Sequence, residues 1–410
     1  MPQLPEVHLL AGTRPEAIKL APVAARMRAA GRLRPVLVAT GQHPTMVAEA
    51  LAALGERADV CMDLDRSTGS QPELLSQLVR QLDEHFARWN PAVVLVQGDT
   101  TTTLAGAMAG FWRQIPVVHL EAGLRSGDLA GPFPEEGNRK MVAQISQLHL
   151  APTVRAAANL LAEGTPADQV LVTGNTVVDA ALAVTARPVE FADARVAAAE
   201  RAATAGELRL VLVTAHRRES WGEPLDRVLR AVRRLLARYP DMWVVLPAHP
   251  NPAVRAQVDA ALAGTERAIV TDPLPYEALA RILSRATIAL TDSGGIQEEA
   301  PSFGVPALVL RDVTERVESV EAGCARLVGT DEDLIVAEAV RLLDDPAAYA
   351  QMVVATNPYG DGYAAHRSEQ AIAAMLGLDL QPAPMPHRLE MPPGLRLRVA
   401  GEVPPLAAAA

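Results

Sequence analysis

The chain of 410 residues predicts an α/β protein made of two doubly wound, Rossmann-like domains. Three observations carry this. Short runs rich in Val, Leu and Ile recur, with longer Ala/Leu/Arg stretches of helical periodicity between them, the pattern of buried parallel strands alternating with amphipathic helices. The rhythm breaks once, over residues 183–207, and then restarts, so there are two successive βα series rather than one. Each apolar run also ends in a polar segment, and in open α/β sheets ligands bind outside the carboxyl ends of the strands.

In the first series the strands read VHLLAG, LRPVLVATG, AVVLVQGD, IPVVHLEAG, QLHLAPT and VLVTGN. The connector AVTARPVEFADARVAAAERAATAGE carries helical parts and no strand signal. The second series reads LRLVLVTAH, MWVVLPAHP, AIVTD, TIALTDSGG, PALVLRD and CARLVGTD. NPYGDGYAAHRSEQAIAAMLGL is a turn followed by a helix over about 360–378, expected to pack back on the first domain. The expected organisation is therefore 1–182 for the first domain, 183–359 for the second, nucleotide-binding domain, and 379–410 for a flexible tail rich in Pro and Ala.

Composition removes several function classes. A net charge of −10 argues against nonspecific nucleic-acid binding, which needs an excess of cations. The two cysteines, Cys61 and Cys324, lie far apart without CxxC spacing, so neither a disulfide framework nor a zinc site is expected, and the cytoplasm is the natural compartment. The N-terminal residues do not read as a signal peptide, and no apolar run is long enough to suggest a membrane span. Neither GxGxxG after the first strand nor GxxxxGK[ST] is present, which leaves nicotinamide, flavin and P-loop sites without support. Lys19 and Lys140 are the only lysines in a chain otherwise rich in arginine.

The polar strand ends are GTRPEAIK, TGQH, QGDTTTT, the stretch HLEAGLRSGDLAGPFPEEGNR over 119–139, TGNT, TAHRRES, AHPNP, TDSGGIQEE and RDVTER. The 119–139 stretch mixes Glu121, Arg125, Asp128, Glu135, Glu136 and Arg139 with Gly and Pro, and does not read as a regular helix. In TDSGGIQEE, Asp292 and Ser293 fit a cap position, Gly294 and Gly295 permit close backbone approach, and the following helix start attracts anions. Glu299, one turn on, suits two vicinal ribose hydroxyls. SGG before a helix is equally an ordinary strand–helix turn. His216 beside Arg217 and Arg218 is placed to face phosphate, and His249 in AHPNP less so.

These motifs, with PFPEEGNR, TGNTVVDA, HPNP, LTDSGGIQEEAPSFGVP, RDVTERVE and NPYGDG in order from about Val7 to about Leu378, resemble the non-hydrolysing, bacterial-type UDP-N-acetylglucosamine 2-epimerases. The resemblance implies two Rossmann-like domains of the GT-B type, an active site in the cleft between them, and a homodimer serving cell-envelope polysaccharide synthesis. Domains joined near residues 180–190 and again near 358–362 form a hinge pair, so the cleft is expected to close on ligand. It implies reversible conversion of UDP-N-acetylglucosamine to UDP-N-acetylmannosamine with no cofactor and no metal: UDP leaves C1 as H2 is removed, and adds back to the 2-acetamidoglucal after the proton returns to the other face. Its catalytic residues map to Asp99, Glu121, Glu135 and His216, and its substrate-binding residues to Arg14, Lys19, Arg139, His249, Ser293, Gly294, Gly295, Glu299 and Arg316. Ion pairs of Glu121 or Glu135 with Arg125 or Arg139 stay open. Gln42 and His43 match an allosteric second-substrate site, although the downstream glutamine is not clear in DRSTGSQPE. Val317 replaces a usual proline, and Leu279 stands where some relatives carry an aromatic residue near the uracil. A hydrolysing epimerase that releases N-acetylmannosamine and UDP, a GT-B glycosyltransferase and a silent nucleotide-sugar sensor are the competing readings.

Overall fold

The computed structural model describes residues 4–217, 220–353, 357–378, 380–382 and 385. The chain divides into two compact units, one formed by residues up to Ala180 and again from Tyr359, the other by Ala181–Pro358.

Among the described residues, the first unit holds a seven-stranded parallel sheet. Its strands are β1 (Glu6–Ala11), β2 (Arg34–Ala39), β3 (Val60–Cys61), β4 (Val93–Gln97), β5 (Val117–Leu120), β6 (Leu148–Ala151) and β7 (Val170–Val172). Their order across the sheet is β3-β2-β1-β4-β5-β6-β7. The register pairs Leu9 with both Leu37 and Leu95, and these central strands are buried on both faces, as near-continuous apolar runs require. β3 is the one strand the apolar runs did not reveal; it is two residues long and carries no run of its own.

The second unit holds a six-stranded parallel sheet of β8 (Arg209–Thr214), β9 (Met242–Pro247), β10 (Ala268–Thr271), β11 (Ile288–Thr291), β12 (Ala307–Val309) and β13 (Ala325–Leu327), in the order β10-β9-β8-β11-β12-β13. Each face has its own core. Val211, Val213, Leu229, Val232, Val244 and Leu290 pack on one side, and Leu210, Leu212, Val245, Ile269, Ile282 and Val309 on the other. Val211/Val213 and Leu210/Leu212 alternate between faces, as the two-residue period of a strand dictates.

Both sheets reverse their winding at the same place, between the first strand of the unit and the fourth: β1/β4 in one, β8/β11 in the other. Such a switch point leaves a crevice at the carboxyl ends of the two strands, because the connecting helices depart to opposite faces. The residues that follow these four strands therefore deserve priority as ligand contacts.

The helix Thr176–Thr185 carries the chain across the unit boundary, and the chain returns at Tyr359. The helix Ala364–Met375 that follows lies in the first unit. It is tied there by the Arg32–Glu369 ion pair at 2.7 Å and by Arg367 to the Thr173 carbonyl at 3.1 Å. Asp179 accepts from the backbone N–H groups of Ala364 and Ala365 at 3.2 and 2.9 Å, capping that helix from outside. The expected tail over 379–410 lies almost wholly outside the described residues. Of its described members, Met385 is buried with Ala122, Ala151 and Leu160 in the first unit's core, which corrects the reading of that residue as free tail. Among the described residues, no helix is long and apolar enough to cross a membrane.

Candidate active site

The switch point of the first unit is built around two buried carboxylates. Gly12 follows β1, and a Cβ there would lie 2.1 Å from the Thr102 hydroxyl, so only glycine lets the β1 loop approach the start of the helix Thr101–Trp112. Glu16, buried in the first turn of the helix Arg14–Ala30, fixes this approach. One of its oxygens accepts from Gly12 N, Thr13 N and Thr13 Oγ1 at 2.9, 2.7 and 2.8 Å; the other accepts from Thr100 and Thr103 hydroxyls at 2.6 and 3.2 Å. Burial pushes its carboxyl above the usual range, and these hydrogen bonds pull the other way.

Glu121 follows β5 in the left-handed region, at φ 62°. For a residue with a Cβ this costs about 1–2 kcal/mol, so the surroundings must enforce it. They do so through the side chain. Lys19 donates to Oε1 at 2.5 Å, Asn175 donates to the same oxygen at 2.9 Å, and Gln97 donates to Oε2. Glu121 and Lys19 are both buried. The Glu121 carboxylate also lies beside Gly98, 3.6 Å from where a Cβ would stand, and Asp99 comes next in the chain.

Asp99 Oδ2 receives Nε and a terminal nitrogen of Arg139 at 2.9 and 2.6 Å, and its carbonyl accepts from Asn138 at 2.8 Å. Arg139 also donates to buried Glu136 at 3.1 Å. Burial pulls the Arg139 guanidinium down, yet Asp99 and Glu136 together hold it above its ordinary value. Glu136 in turn accepts from Ser126 N and Gly127 N, which pins the loop after β5; burial raises its carboxyl, but these N–H groups and Arg139 leave it below the usual range. Beneath Asp99, buried His119 donates from Nε2 to the Gly98 carbonyl, 2.7 Å away, and burial lowers its pKa to about 4, so the ring is neutral.

Glu135 differs from its neighbours. It is half-buried and makes no hydrogen bond or ion pair among the described residues. It opens the helix Glu135–Ile145, which corrects the expectation that the whole 119–139 stretch is irregular. Arg14, at the first position of its helix, is exposed and likewise without a partner among the described residues.

The switch point of the second unit is built around Asp292, fully buried after β11. Oδ2 accepts from His216 N and Arg217 N, each at 2.8 Å, and from Ser220 Oγ at 3.3 Å; Oδ1 lies 3.0 Å from His216 Nδ1. Burial raises the Asp292 carboxyl, but His216 and the two N–H groups leave it below the usual range. Asp292 is thus not a helix cap, as its place before SGG suggested. It holds the loop after β8 and orients the half-exposed His216 ring, leaving Nε2 for a ligand. Ser293 takes the cap position of the helix Gly294–Glu299 with no side-chain cap bond. The Arg316 guanidinium lies against Gly294, where a Cβ would come within 3.0 Å of Cζ, and donates to buried Glu298 at 2.9 Å. Thr314 bonds both Gln297 Oε1 and Arg316 N, so the TER loop and the SGG helix form one piece.

A family model described as UDP-N-acetylglucosamine 2-epimerase matches residues 25–373. The chain belongs to the UDP-N-acetylglucosamine 2-epimerase family. It is 43% identical over 367 residues to the UDP-N-acetylglucosamine 2-epimerase of Bacillus subtilis, covering 88% of this chain and 93% of that protein. A crystal structure of the enzyme of that name from Neisseria meningitidis, bound to UDP-GlcNAc, superimposes with a TM-score of 0.80 at 37% identity, covering 90% of this chain and all of that one. At 15% identity and a TM-score of 0.60, a glycosyltransferase of kitacinnamycin shares the fold, consistent with the GT-B architecture.

Within this epimerase-family frame, the structure sorts the residues expected from sequence. Asp99, Glu121, Arg139 and Lys19 converge, but Lys19 is bound to Glu121 rather than presented as a free ligand contact. The ion pairs left open resolve differently from either option: Arg125 pairs with Glu163 at 2.6 Å and Arg139 with Asp99 and Glu136. His216, Ser293, Gly294, Gly295, Glu299 and Arg316 share the second unit's switch point, whereas His249 follows β9, its Nδ1 accepting from Asn251 N at 3.1 Å and its ring 5.2 Å from Trp221. Arg218 lies outside the described residues. Gln42 accepts from Thr102 at 2.9 Å, and Gln71 from Thr101 at 2.6 Å, so a glutamine does arrive downstream of Gln42. His43 is exposed at the start of the helix Pro44–Ala53. Leu279 packs against the second unit's core, which removes it as a stacking surface. Glu16, Gln97, His119, Asn175 and Glu298 carried no expected role, although all five stand inside the polar strand-end motifs.

Proposed function

We propose that this protein interconverts UDP-N-acetylglucosamine and UDP-N-acetylmannosamine without hydrolysing them. The observation that carries the reading is the division of carboxylates in the first unit: Glu121 is held by an ammonium and two amides, while Glu135 is unpartnered among the described residues and Asp99 keeps one oxygen outside its Arg139 contact. C2 of the sugar has no adjacent ketone, so its proton is removed only as the C1–O bond to UDP breaks. The C2–H electrons become the second bond of a C1=C2 double bond, and UDP leaves with the C1–O pair. Asp99 and Glu135 are the groups that take the proton on one face and return one on the other, a role that needs carboxylates able to change protonation state. Glu121, paired with the Lys19 ammonium, is the anion placed to stabilise positive charge developing at C1.

The second unit supports the departing diphosphate. His216 held by Asp292, Arg316 laid against Gly294, and the backbone at Ser293–Gly295 offer donors to an anion. Arg14, exposed at the start of its helix, adds a cation, and Glu299 is assigned to the ribose hydroxyls. The family members solved with UDP-GlcNAc give this substrate choice its direct support. We place the enzyme in the cytoplasm, in keeping with its free cysteines, and as a homodimer; Phe111 and Trp112, 52% and 60% exposed on the first unit, are the apolar surface to test in it.

Incubation with UDP-N-acetylglucosamine in D2O is the test. UDP-N-acetylmannosamine with deuterium at C2 is expected. Release of free N-acetylmannosamine with UDP would assign the hydrolysing reaction instead, and recovery of unlabelled substrate alone would overturn both.

A further inference from the structure

We propose that Asn175 is a positioning residue that ties the carboxylate of Glu121 to both places where the chain passes between its two units. The proposal rests on the reading of Glu121 as a fixed anion in the epimerisation site.

Asn175 is buried immediately before the helix Thr176–Thr185 and spends every polar group it has. Its Oδ1 accepts from Val177 N at 3.0 Å, capping the helix that carries the chain out of the first unit at Ala180. Its backbone N–H donates to the Tyr359 carbonyl at 2.6 Å, the residue at which the chain comes back. Its Nδ2 donates to Glu121 Oε1 at 2.9 Å. The next residue repeats the arrangement one step removed: Thr176 Oγ1 donates to the Lys19 carbonyl at 2.7 Å, and the Lys19 ammonium holds the same Glu121 oxygen.

The backbones at the two crossings are also in direct contact. Gly174 has φ 89°, and a Cβ there would stand 3.3 Å from the Tyr359 carbonyl oxygen and 3.5 Å from Gly360 Cα. At Gly174 the two segments approach backbone to backbone, with the Ala364 methyl 3.4 Å from the same point, so a rotation of the outgoing helix or a shift of the returning segment moves Asn175. An amide that is fixed at Oδ1 and at N has no freedom left at Nδ2, and the displacement reaches Glu121. Glu121 is susceptible because its left-handed backbone is held by side-chain donors. Asp179, one turn further along the same helix, provides the contrast. Both of its carboxylate oxygens are spent on fastening the returning helix Ala364–Met375, so it serves as the structural control for Asn175.

The test compares Asn175→Asp, Asn175→Ser and Asp179→Asn in the full chain. Aspartate and serine both cap helices well, so the fold is expected to hold, judged by Tm and by an unchanged Kd for UDP. In Asn175→Asp a carboxylate replaces the Nδ2 donor and faces Glu121. At pH 8 kcat is expected to fall at least a hundredfold, and to recover partly towards pH 6, where a proton on the introduced carboxyl restores a donor. In Asn175→Ser, which keeps the cap but lacks the amide, kcat is expected to fall about tenfold with KM within twofold. Asp179→Asn is expected to shift Tm and leave the shape of the kcat–pH profile unchanged. Wild-type kcat and an unshifted profile in either folded Asn175 variant would overturn the inference while leaving the epimerase reading intact. Should Asn175→Asp not fold, Asn175→Ser alone decides, full kcat overturning the inference. A wild-type protein that forms no UDP-N-acetylmannosamine would overturn the epimerase reading itself.

Discussion

The two units share the strand order of their first six strands and the switch point it creates, yet their switch points have opposite chemistry. In the first, carboxylates from three strand ends and a helix start gather: Glu16, Asp99, Glu121 and Glu135, each except Glu135 anchored by internal donors. In the second, a single fully buried carboxylate, Asp292, organises cationic and donor groups around itself: His216, Arg217 and, on the adjoining loop, Arg316. The fold supplies the place for a ligand in both, since diverging helices open the same crevice. In the proposed mechanism, the side chains alone assign proton handling to one crevice and an anion to the other. Internal anchoring also differs in kind. The first unit fixes its acids with long-range side-chain bonds, whereas the second uses one acid to fix a loop through two backbone N–H groups.

The largest expected effect breaks the first crevice and spares the second. Asp99→Asn and Glu135→Gln are each expected to lower kcat by roughly 10² to 10⁴-fold, the range of a general acid or base, with Kd for UDP within twofold by titration calorimetry. Weakened UDP binding with normal turnover would reverse the assignment of the two units. Asp292→Asn attacks the other side. Loss of a charged acceptor for His216 and two N–H groups is worth about 1.5–3 kcal/mol, so UDP affinity is expected to fall roughly ten- to a hundredfold, measured in the same titration; an unchanged Kd would remove Asp292 as organiser of the anion site.

Stability separates the units further. Glu16→Ala takes the acceptor from the buried Gly12 N–H, from Thr13 N–H and from the Thr13 and Thr100 hydroxyls, and is expected to destabilise the first unit by about 2–4 kcal/mol in urea unfolding. A cost below about 0.5 kcal/mol would mean that the loops after β1 and β4 are held by other means. The smallest effect concerns Asp179. Burial, ahead of the opposing Ala365 and Ala364 N–H groups, raises its pKa to about 6 from 3.8. The native state therefore holds this proton up to a higher pH than the unfolded chain. The stabilising contribution is present below about pH 4 and is lost as pH rises through 6, amounting to roughly 2–3 kcal/mol across that window. Unfolding free energies at pH 5 and 7.5 are expected to show the wild type gaining on Asp179→Asn at the lower pH. A difference independent of pH would show that Asp179 titrates alike in both states.

Much of this arrangement was legible before folding. Runs such as AVVLVQGD and TIALTDSGG announce buried strands by their unbroken apolar character, and the polar ends mark the ligand side. β3 escaped because two residues cannot display a period. The start of the helix at Glu135 escaped because Gly and Pro immediately before it mask a helical pattern that emerges only in the following turns. Asp292 was visible as a site residue, but its partner was not, since a cap bond reaches two or three residues while Asp292 reaches back 76 to His216 N.

What the sequence determined by itself is the α/β class, the two series, the identity of the strand ends and the family, because burial pattern and local residue order survive in one dimension. Only the tertiary structure decided the pairing of charges. Lys19 and Glu121 are 102 residues apart, Asn175 and Glu121 are 54 apart, and Arg139 meets Asp99 across 40. A hydrogen bond acts over about 3 Å, and only the sheet order β1-β4-β5-β6-β7 brings these segments within that distance. The sequence shows which acids are present. The crossing of strands determines which of them is bound by internal donors, and the proposed proton transfer rests on that division.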